Sequence, residues 1–379
     1  MRGPLALSAA LALLAGCSAV THTTPAAVGF SSSASPSPSG ATGPVRTYWI
    51  SSDPVDWNYA PTGRNEITGK DFDDTAKTYV GHGPGQIGPV VGKCLYRAYS
   101  PDFAALQQRP DNEAYMGDLG PTIRAVVGDT IVVHFRNTCS FPTTMHPHGV
   151  EYAKDSEGSG YNDGTSGADK DDDDVPTNGT HTYTWQVPER AGPGPMDGSS
   201  MGWMYHSHSD EIGDIYAGLS GFIVVTARDQ ARPDATPKDV DQEVFSLFEV
   251  DDESQSPLLQ DNIKRFVTGT RLSDDDFAES NKRHSINGYL FGGGPVVTLQ
   301  KGSRVRWYLM GMGTEVDLHT PHWHGNDVLV NGMRTDVVSL LPATMVTANM
   351  VPDDVGTWLY HCHVGDHIKA GMLARYRVE

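Results

Sequence analysis

The stretch 358–372, WLYHCHVGDHIKAGM, places His361, Cys362, His363, His367 and Met372 within twelve residues. Thr357 to Tyr360, aromatic and preceded by Gly356, reads as a strand. Side chains alternate faces along a strand, so His361 and His363 project to one side and Cys362 to the other. A Cys thiolate, two imidazoles and a weak thioether are the ligand set of a blue-copper electron-transfer site. His367 and Met372 lie five and ten residues beyond Cys362 and offer one imidazole and the thioether. His361 and His363 then face a second metal centre, back to back with the first.

Residues 319–324 read HTPHWH. In an extended segment His322 and His324 share a face and His319 falls on the other, so His319 completes the set of Cys362, His367 and Met372. Two more pairs occur upstream, His146-Pro147-His148 and His206-Ser207-His208. Four His-x-His pairs give eight imidazoles, enough for three coppers with two ligands on one and three on each of the others. Ten of the fifteen His fall in these clusters, a motif density that scattered structural histidines do not produce.

The elements that must carry these residues are strands. β-rich runs punctuated by Gly and Pro occur at 130–135, 182–187, 221–226, 243–249 and 304–309, and no long helical periodicity stands out. This pattern predicts an all-β fold of two Greek-key β-sandwich domains, over 45–230 and 242–379, joined by a linker at 231–241 with Arg232-Pro233 and Thr236-Pro237. The two halves repeat. WMYHSHSDEIGDIYAGLSGFIVV at 203–225 parallels WLYHCHVGDHIKAGMLARYRV at 358–378, and TTMHPHG at 143–149 parallels HTPHWHG at 319–325. Thr143, Ser207 and Ile212 stand where His319, Cys362 and His367 do, so one thiolate site is expected, in the second domain only.

Residues 1–17 read as a lipoprotein-type signal peptide: Arg2, a short apolar run and Leu14-Ala15-Gly16-Cys17, too short to span a membrane. Cleavage before Cys17 and its lipidation would leave 18–44, rich in Ser, Thr, Ala and Pro, as a disordered tether to the extracytoplasmic face of the membrane. In that oxidising compartment Cys94 and Cys139 can pair. The formal charge is −19, from 28 basic and 47 acidic side chains. Nucleic acid and anionic lipid surfaces are thereby excluded as partners, and cationic substrates are attracted. Met196, Met201 and Met204 read as packing residues.

The four motifs resemble those of the multicopper oxidases. MHPHGVEY, YNDGTSGADK, VPERAGPGP and INGYLFGG resemble the ceruloplasmin–hephaestin branch in a two-domain form, from Arg46 to Glu379. The resemblance implies cupredoxin-like domains and four coppers per chain. His319, Cys362, His367 and Met372 would hold type 1 copper, and His146 and His322 type 2 copper. His148, His206 and His363 would hold one type 3 copper, and His208, His324 and His361 the other. Electrons from a reductant would cross from Cys362 to its bonded neighbours His361 and His363, and O2 would be reduced to water. Asp118 and Glu211 are candidates to supply protons.

The branch also places acids and one His beside the type 1 ligands, which here are Glu279, His284 and Asp366, with Glu315 matching an acid from a neighbouring domain. Carboxylates and an imidazole suit Fe(II), so the expected activity is ferroxidase. A laccase-like oxidase of phenols or aromatic amines is the competing reading and requires an open apolar hollow over a ligand His. A copper nitrite reductase would not need eight cluster histidines, and copper storage would not need a type 1 site wired to a cluster. The loop DKDDDD at 169–174 matches a calcium loop of the branch, with the Lys154 carbonyl, Asp169, Asp172 and Asp173 as ligands. Six-domain relatives close into a ring whose cluster lies where the first domain meets the last. A two-domain chain would copy that ring as a homotrimer, with clusters at subunit interfaces.

Overall fold

The structure is a computed structural model that describes residues 43–314 and 316–379. The expected signal peptide with Cys17, the tether to residue 42, and Glu315 lie outside the described residues. Gly43 and Pro44, expected in the tether, already belong to the fold: Gly43 N donates to Gly128 O at 2.9 Å, and Thr130 N to Pro44 O at 3.2 Å.

The strand Thr130–Asn137, TIVVHFRN, alternates half-buried and buried residues along its whole length. Its β-branched and aromatic members Ile131, Val133 and Phe135 point to one face, as a period of two requires. They form the core of the first half with Tyr183 and Trp185 of the same sheet and Tyr205, Ile223 and Val225 of the facing one. The first sheet runs Val90–Tyr99, Val45–Asn58, Thr130–Asn137, Thr180–Gln186, Glu151–Tyr152, and the second Ile123–Val126, Ser220–Thr226, Ser200–His206, His146–Pro147.

The second half repeats this plan. A six-stranded sheet begins Lys282–Ile286, Gln242–Asp252, Val305–Gly311, Thr344–Met350. It packs on a four-stranded sheet ordered Val297–Leu299, Leu373–Val378, Gly356–Cys362, Pro321–Trp323. In each half the first long strand pairs parallel with a later one, Val45–Asn58 with Thr130–Asn137 and Gln242–Asp252 with Val305–Gly311. The smaller sheets match too, with parallel pairs Ile123–Val126 to Ser220–Thr226 and Val297–Leu299 to Leu373–Val378. The repeat in the sequence is thus a repeat of topology. Cys94 and Cys139 form a disulfide in the first half, with Cα atoms 6.1 Å apart.

The halves bury surface on each other. Met204, Phe222 and Val224 pack with Phe245, Tyr308 and Met310, and the Phe245 and Tyr308 rings stack at 5.0 Å. Lys93 is fully buried and reaches Asp251 at 2.8 Å and Glu253 at 3.0 Å across this boundary. A buried pair of this kind costs several kcal/mol when one partner is removed, because the other charge is left uncompensated in the interior. The expected linker is an ordered turn, closed by a bridge from Ala231 to Pro237.

One element has no sequence forewarning. Between the first two strands, residues 59–89 cross onto the second half and carry the helix Asp74–Val80, whose N-cap Asp73 accepts from Ala76 N at 2.9 Å. Ala76, Val80 and Ile87 pack with Phe277, Leu290 and Phe291.

Candidate metal centres

The strand Gly356–Cys362 lies between two neighbours, and its register decides the site. His322 pairs with His361 and Pro321 with Cys362, so the two His-rich motifs lie side by side with their faces aligned. On one face the donor atoms of His319, Cys362 and His367 all lie within 4.8 Å of one another, and all three residues are buried. Cys362 Sγ is 3.5 Å from His367 Nδ1. The helix Gly365–Ala370 presents His367 and ends at Gly371, whose φ of +110° reverses the chain. That turn brings Met372 back, fully buried, with its carbonyl accepting from Cys362 N at 3.2 Å.

His319 is aimed by Asp317, a buried carboxylate whose Oδ1 lies 3.1 Å from His319 Nε2. Backbone amides of Val250 at 2.6 Å and Thr314 at 2.8 Å fix Asp317 in turn. The other ring nitrogen, His319 Nδ1, is buried and has no hydrogen-bond partner. Burial raises the Cys362 thiol, but the neighbouring imidazoles of His319 and His367 and the Thr320 and Val364 amides outweigh it and bring the thiol down to about 6. An orphaned buried imidazole nitrogen beside an acidified thiol, a second His and a buried thioether is a donor set that fits copper.

On the opposite face stand His322, His324, His361 and His363. His361 Nε2 lies 3.2 Å from His322 Nδ1 and 3.0 Å from His324 Nε2, and the His322 and His363 rings are 5.2 Å apart. In the first half His146 pairs with His206 across the sheet, and His148 Nε2 lies 3.1 Å from His206 Nε2. The His146 and His208 rings are 5.2 Å apart. Backbone carbonyls take one nitrogen of several rings, Glu157 O on His146 Nδ1 at 2.6 Å and Cys362 O on His361 Nδ1 at 2.7 Å, which leaves Nε2 for a metal. Burial, with neighbouring imidazoles adding to it, lowers His148 and His361 to about 4 and His206 to about 3. These rings are neutral at neutral pH and bind metal without first losing a proton.

Two family models described as multicopper oxidase match residues 116–230 and 268–379, together more than half of the chain. The chain belongs to the multicopper oxidases. Within them it is similar to the ceruloplasmin–hephaestin branch. It is 44% identical over 349 residues to ferroxidase HEPHL1 of Homo sapiens, covering 90% of this chain and 30% of that protein. To hephaestin of Rattus norvegicus it is 42% identical over 344 residues, covering 89% and 30%, and to ceruloplasmin of Ovis aries 37% over 341 residues, covering 88% and 32%. The chain therefore spans about a third of the length of these relatives. Among solved structures, a crystal structure of a multicopper oxidase superposes with a TM-score of 0.55 at 19% identity, over 88% of this chain and 89% of that one. The blue copper oxidase from Nitrosomonas europaea gives 0.53 at 15%, over 88% and 86%. At these identities the match speaks to the fold, which is that of cupredoxin-like domains.

In this multicopper oxidase the eight cluster histidines form two quartets. Among the described residues, every contact between their rings joins two members of one quartet. The second quartet opens into a surface cavity of about 630 Å³ lined by His322, His324, Arg334, Asp336 and Trp358. Glu211 lies 3.4 Å from His208. Asp118 is instead buried at the boundary between the halves, beside Gly288 and within the field of Asp251 and Lys93.

The first half's counterpart of the thiolate site is closed by hydrogen bonds. Ser207 Oγ donates to Asp214 Oδ2 at 2.6 Å and accepts from Thr144 N at 2.9 Å, and Thr143 Oγ1 meets Ser52 Oγ at 2.8 Å. Asp214, not Ile212, takes the place of His367: Leu219 N bonds Asp214 O as Met372 N bonds His367 O. The segment from Ser207 to Leu219 is two residues longer than its counterpart from Cys362 to Met372, which displaces a count made from Ser207 and leaves Ile212 exposed.

Next to His367 the structure gathers the iron candidates. The His284 and His367 rings are 5.1 Å apart. Glu279 lies on the helix Asp274–Ser280, and Asp366 is exposed in the first turn of the helix that bears His367. Sequence reasoning missed Tyr79, whose hydroxyl donates to Glu279 at 2.8 Å and whose ring lies 5.5 Å from that of His284. In the acidic loop, Asp172 is buried with Oδ2 accepting from Gly158 N at 2.6 Å and Oδ1 without a partner. Lys170 lies 3.0 Å from Asp173 and 2.9 Å from Asp163.

Proposed function

We propose that this chain is a ferroxidase that takes electrons from Fe(II) at a type 1 copper and passes them to a three-copper cluster, where O2 is reduced to water. The observation that carries the reading is an unbroken sequence of contacts. Tyr79 joins Glu279 to His284, His284 stands against His367, His367 stands against Cys362, and Cys362 is bonded to His361 and His363. Bound copper would supply one-electron exchange at the thiolate face and oxygen chemistry at the histidine face.

The chain's own residues set up both centres. Asp317 orients His319, and the imidazoles and amides beside Cys362 favour its thiolate. Type 1 copper falls to His319, Cys362, His367 and Met372, and type 2 copper to His146 and His322. The type 3 coppers fall to His148, His206 and His363 and to His208, His324 and His361, making four coppers per chain. Glu211 is placed to hold a proton beside His208.

Because the quartets do not touch within one chain, each needs a quartet from another copy, which supports a homotrimer with three shared clusters. Export, with a lipid anchor on Cys17, and a calcium ion held by the Lys154 carbonyl, Asp169, Asp172 and Asp173 belong to the same proposal. The buried, unpartnered Asp172 Oδ1 supports the calcium site. Oxygen uptake driven by Fe(II) tests the substrate. Glu279→Ala raises KM for Fe(II) by roughly tenfold, the loss of one charge-assisted contact, and leaves KM for a bulky phenol unchanged. Equal effects on both substrates would move the assignment to a laccase-like oxidase.

A further inference from the structure

Both oxygens of Glu279 are engaged within the protein. Tyr79 donates to Oε1 at 2.8 Å, and Lys282 Nζ lies 3.1 Å from Oε2. Burial raises the Glu279 carboxyl, but these two hydrogen bonds outweigh it and hold it below the usual range. Lys282 also meets the second iron candidate, since its carbonyl lies 3.3 Å from His284 Nδ1 and leaves Nε2 free. One residue therefore touches both groups that would bind the substrate, and its ammonium sits on the carboxylate a metal ion would use.

We propose that Lys282 is a specificity-determining residue for iron: its ammonium is the resident cation on Glu279, and Fe(II) enters by displacing it. The proposal rests on the ferroxidase reading above. The pair is about 40% exposed on both sides (38% for Lys282 and 45% for Glu279), so it is weak and can be exchanged. A divalent ion brings twice the charge and gains His284 as well. Tyr79, reaching over from the first half, keeps Glu279 in place while the exchange occurs. A bulky organic reductant has no use for the carboxylate and does not compete with the ammonium. The displaced ammonium, still tethered some 5 Å from a dication in water-like surroundings, weakens binding by roughly tenfold.

The test uses the copper-loaded protein, with Co(II) as a redox-inert probe in calorimetry and with Fe(II) kinetics alongside. In Lys282→Met, Kd for Co(II) and KM for Fe(II) fall by roughly tenfold with kcat unchanged, and KM for a bulky phenol does not move. Lys282→Arg, which keeps the charge, behaves as the parent. Unchanged or weaker Co(II) binding in Lys282→Met overturns the inference. Glu279→Gln separates this from the reading beneath it. If that variant binds Co(II) as tightly as the parent, the ferroxidase site itself fails. If it loses Co(II) while Lys282→Met has no effect, only the role of Lys282 is removed.

Discussion

Cys362 is the residue at which the two centres can be separated. A serine at this position cannot substitute for the thiolate, and the protein contains its own control: Ser207, the equivalent residue of the first half, spends its hydroxyl on Asp214 at 2.6 Å. Cys362→Ser is therefore expected to abolish blue absorption and Fe(II) oxidation and to lose one copper per chain by elemental analysis, with the histidine sites still loaded. A variant that stays blue would mean that the type 1 site lies elsewhere. The clustered histidines, Cys362 and Met372, proposed as copper ligands, were legible in the sequence because their spacing is local, two apart on a strand and five or ten apart around one helix. Asp317, Tyr79 and Lys282 were not. Tyr79 reaches Glu279 across 200 positions of chain, and no pattern near either residue announces the contact.

At the scale of elements, the two short helices Glu211–Tyr216 and Gly365–Ala370 show what a lost site becomes. Asp214 fills the place of His367, and burial lifts its carboxyl to about 6 from an ordinary 3.8, against the hydrogen bonds of Ser207 and Asp210. A raised carboxyl favours its protonated form in the fold. The associated stability is full below about 3.8 and is lost as pH rises through about 6. Asp214→Asn removes this dependence. The variant should gain on the parent between pH 4 and pH 7, by about 3 kcal/mol at most, in denaturant melts of the copper-free protein. A stability difference flat with pH would show that Asp214 is charged in the fold throughout. Strands were legible for a simple reason: runs such as TIVVHFRN carry the alternation that burial of one face imposes. The 59–89 excursion was not, because it packs by scattered apolar residues with no period.

At the scale of the whole molecule, the separation of the quartets supports the proposal of a cluster shared between chains. Four histidines lie in the first half and four in the second, and among the described residues no ring of one set meets a ring of the other. If chains associate head to tail, the first half of one copy meets the second half of the next, and three copies close the ring. Light scattering should then give three times the chain mass. Subunit complementation is the sharper measurement. His206→Ala damages the first-half quartet and His361→Ala the second-half quartet, so a trimer of either variant alone has three damaged clusters and should not consume O2. In trimers assembled from an equal mixture, a His361→Ala chain can present its intact first half to the intact second half of a His206→Ala chain. Random assembly makes about one interface in four complete, so about a quarter of the parent activity should return. A cluster built inside one chain would return none.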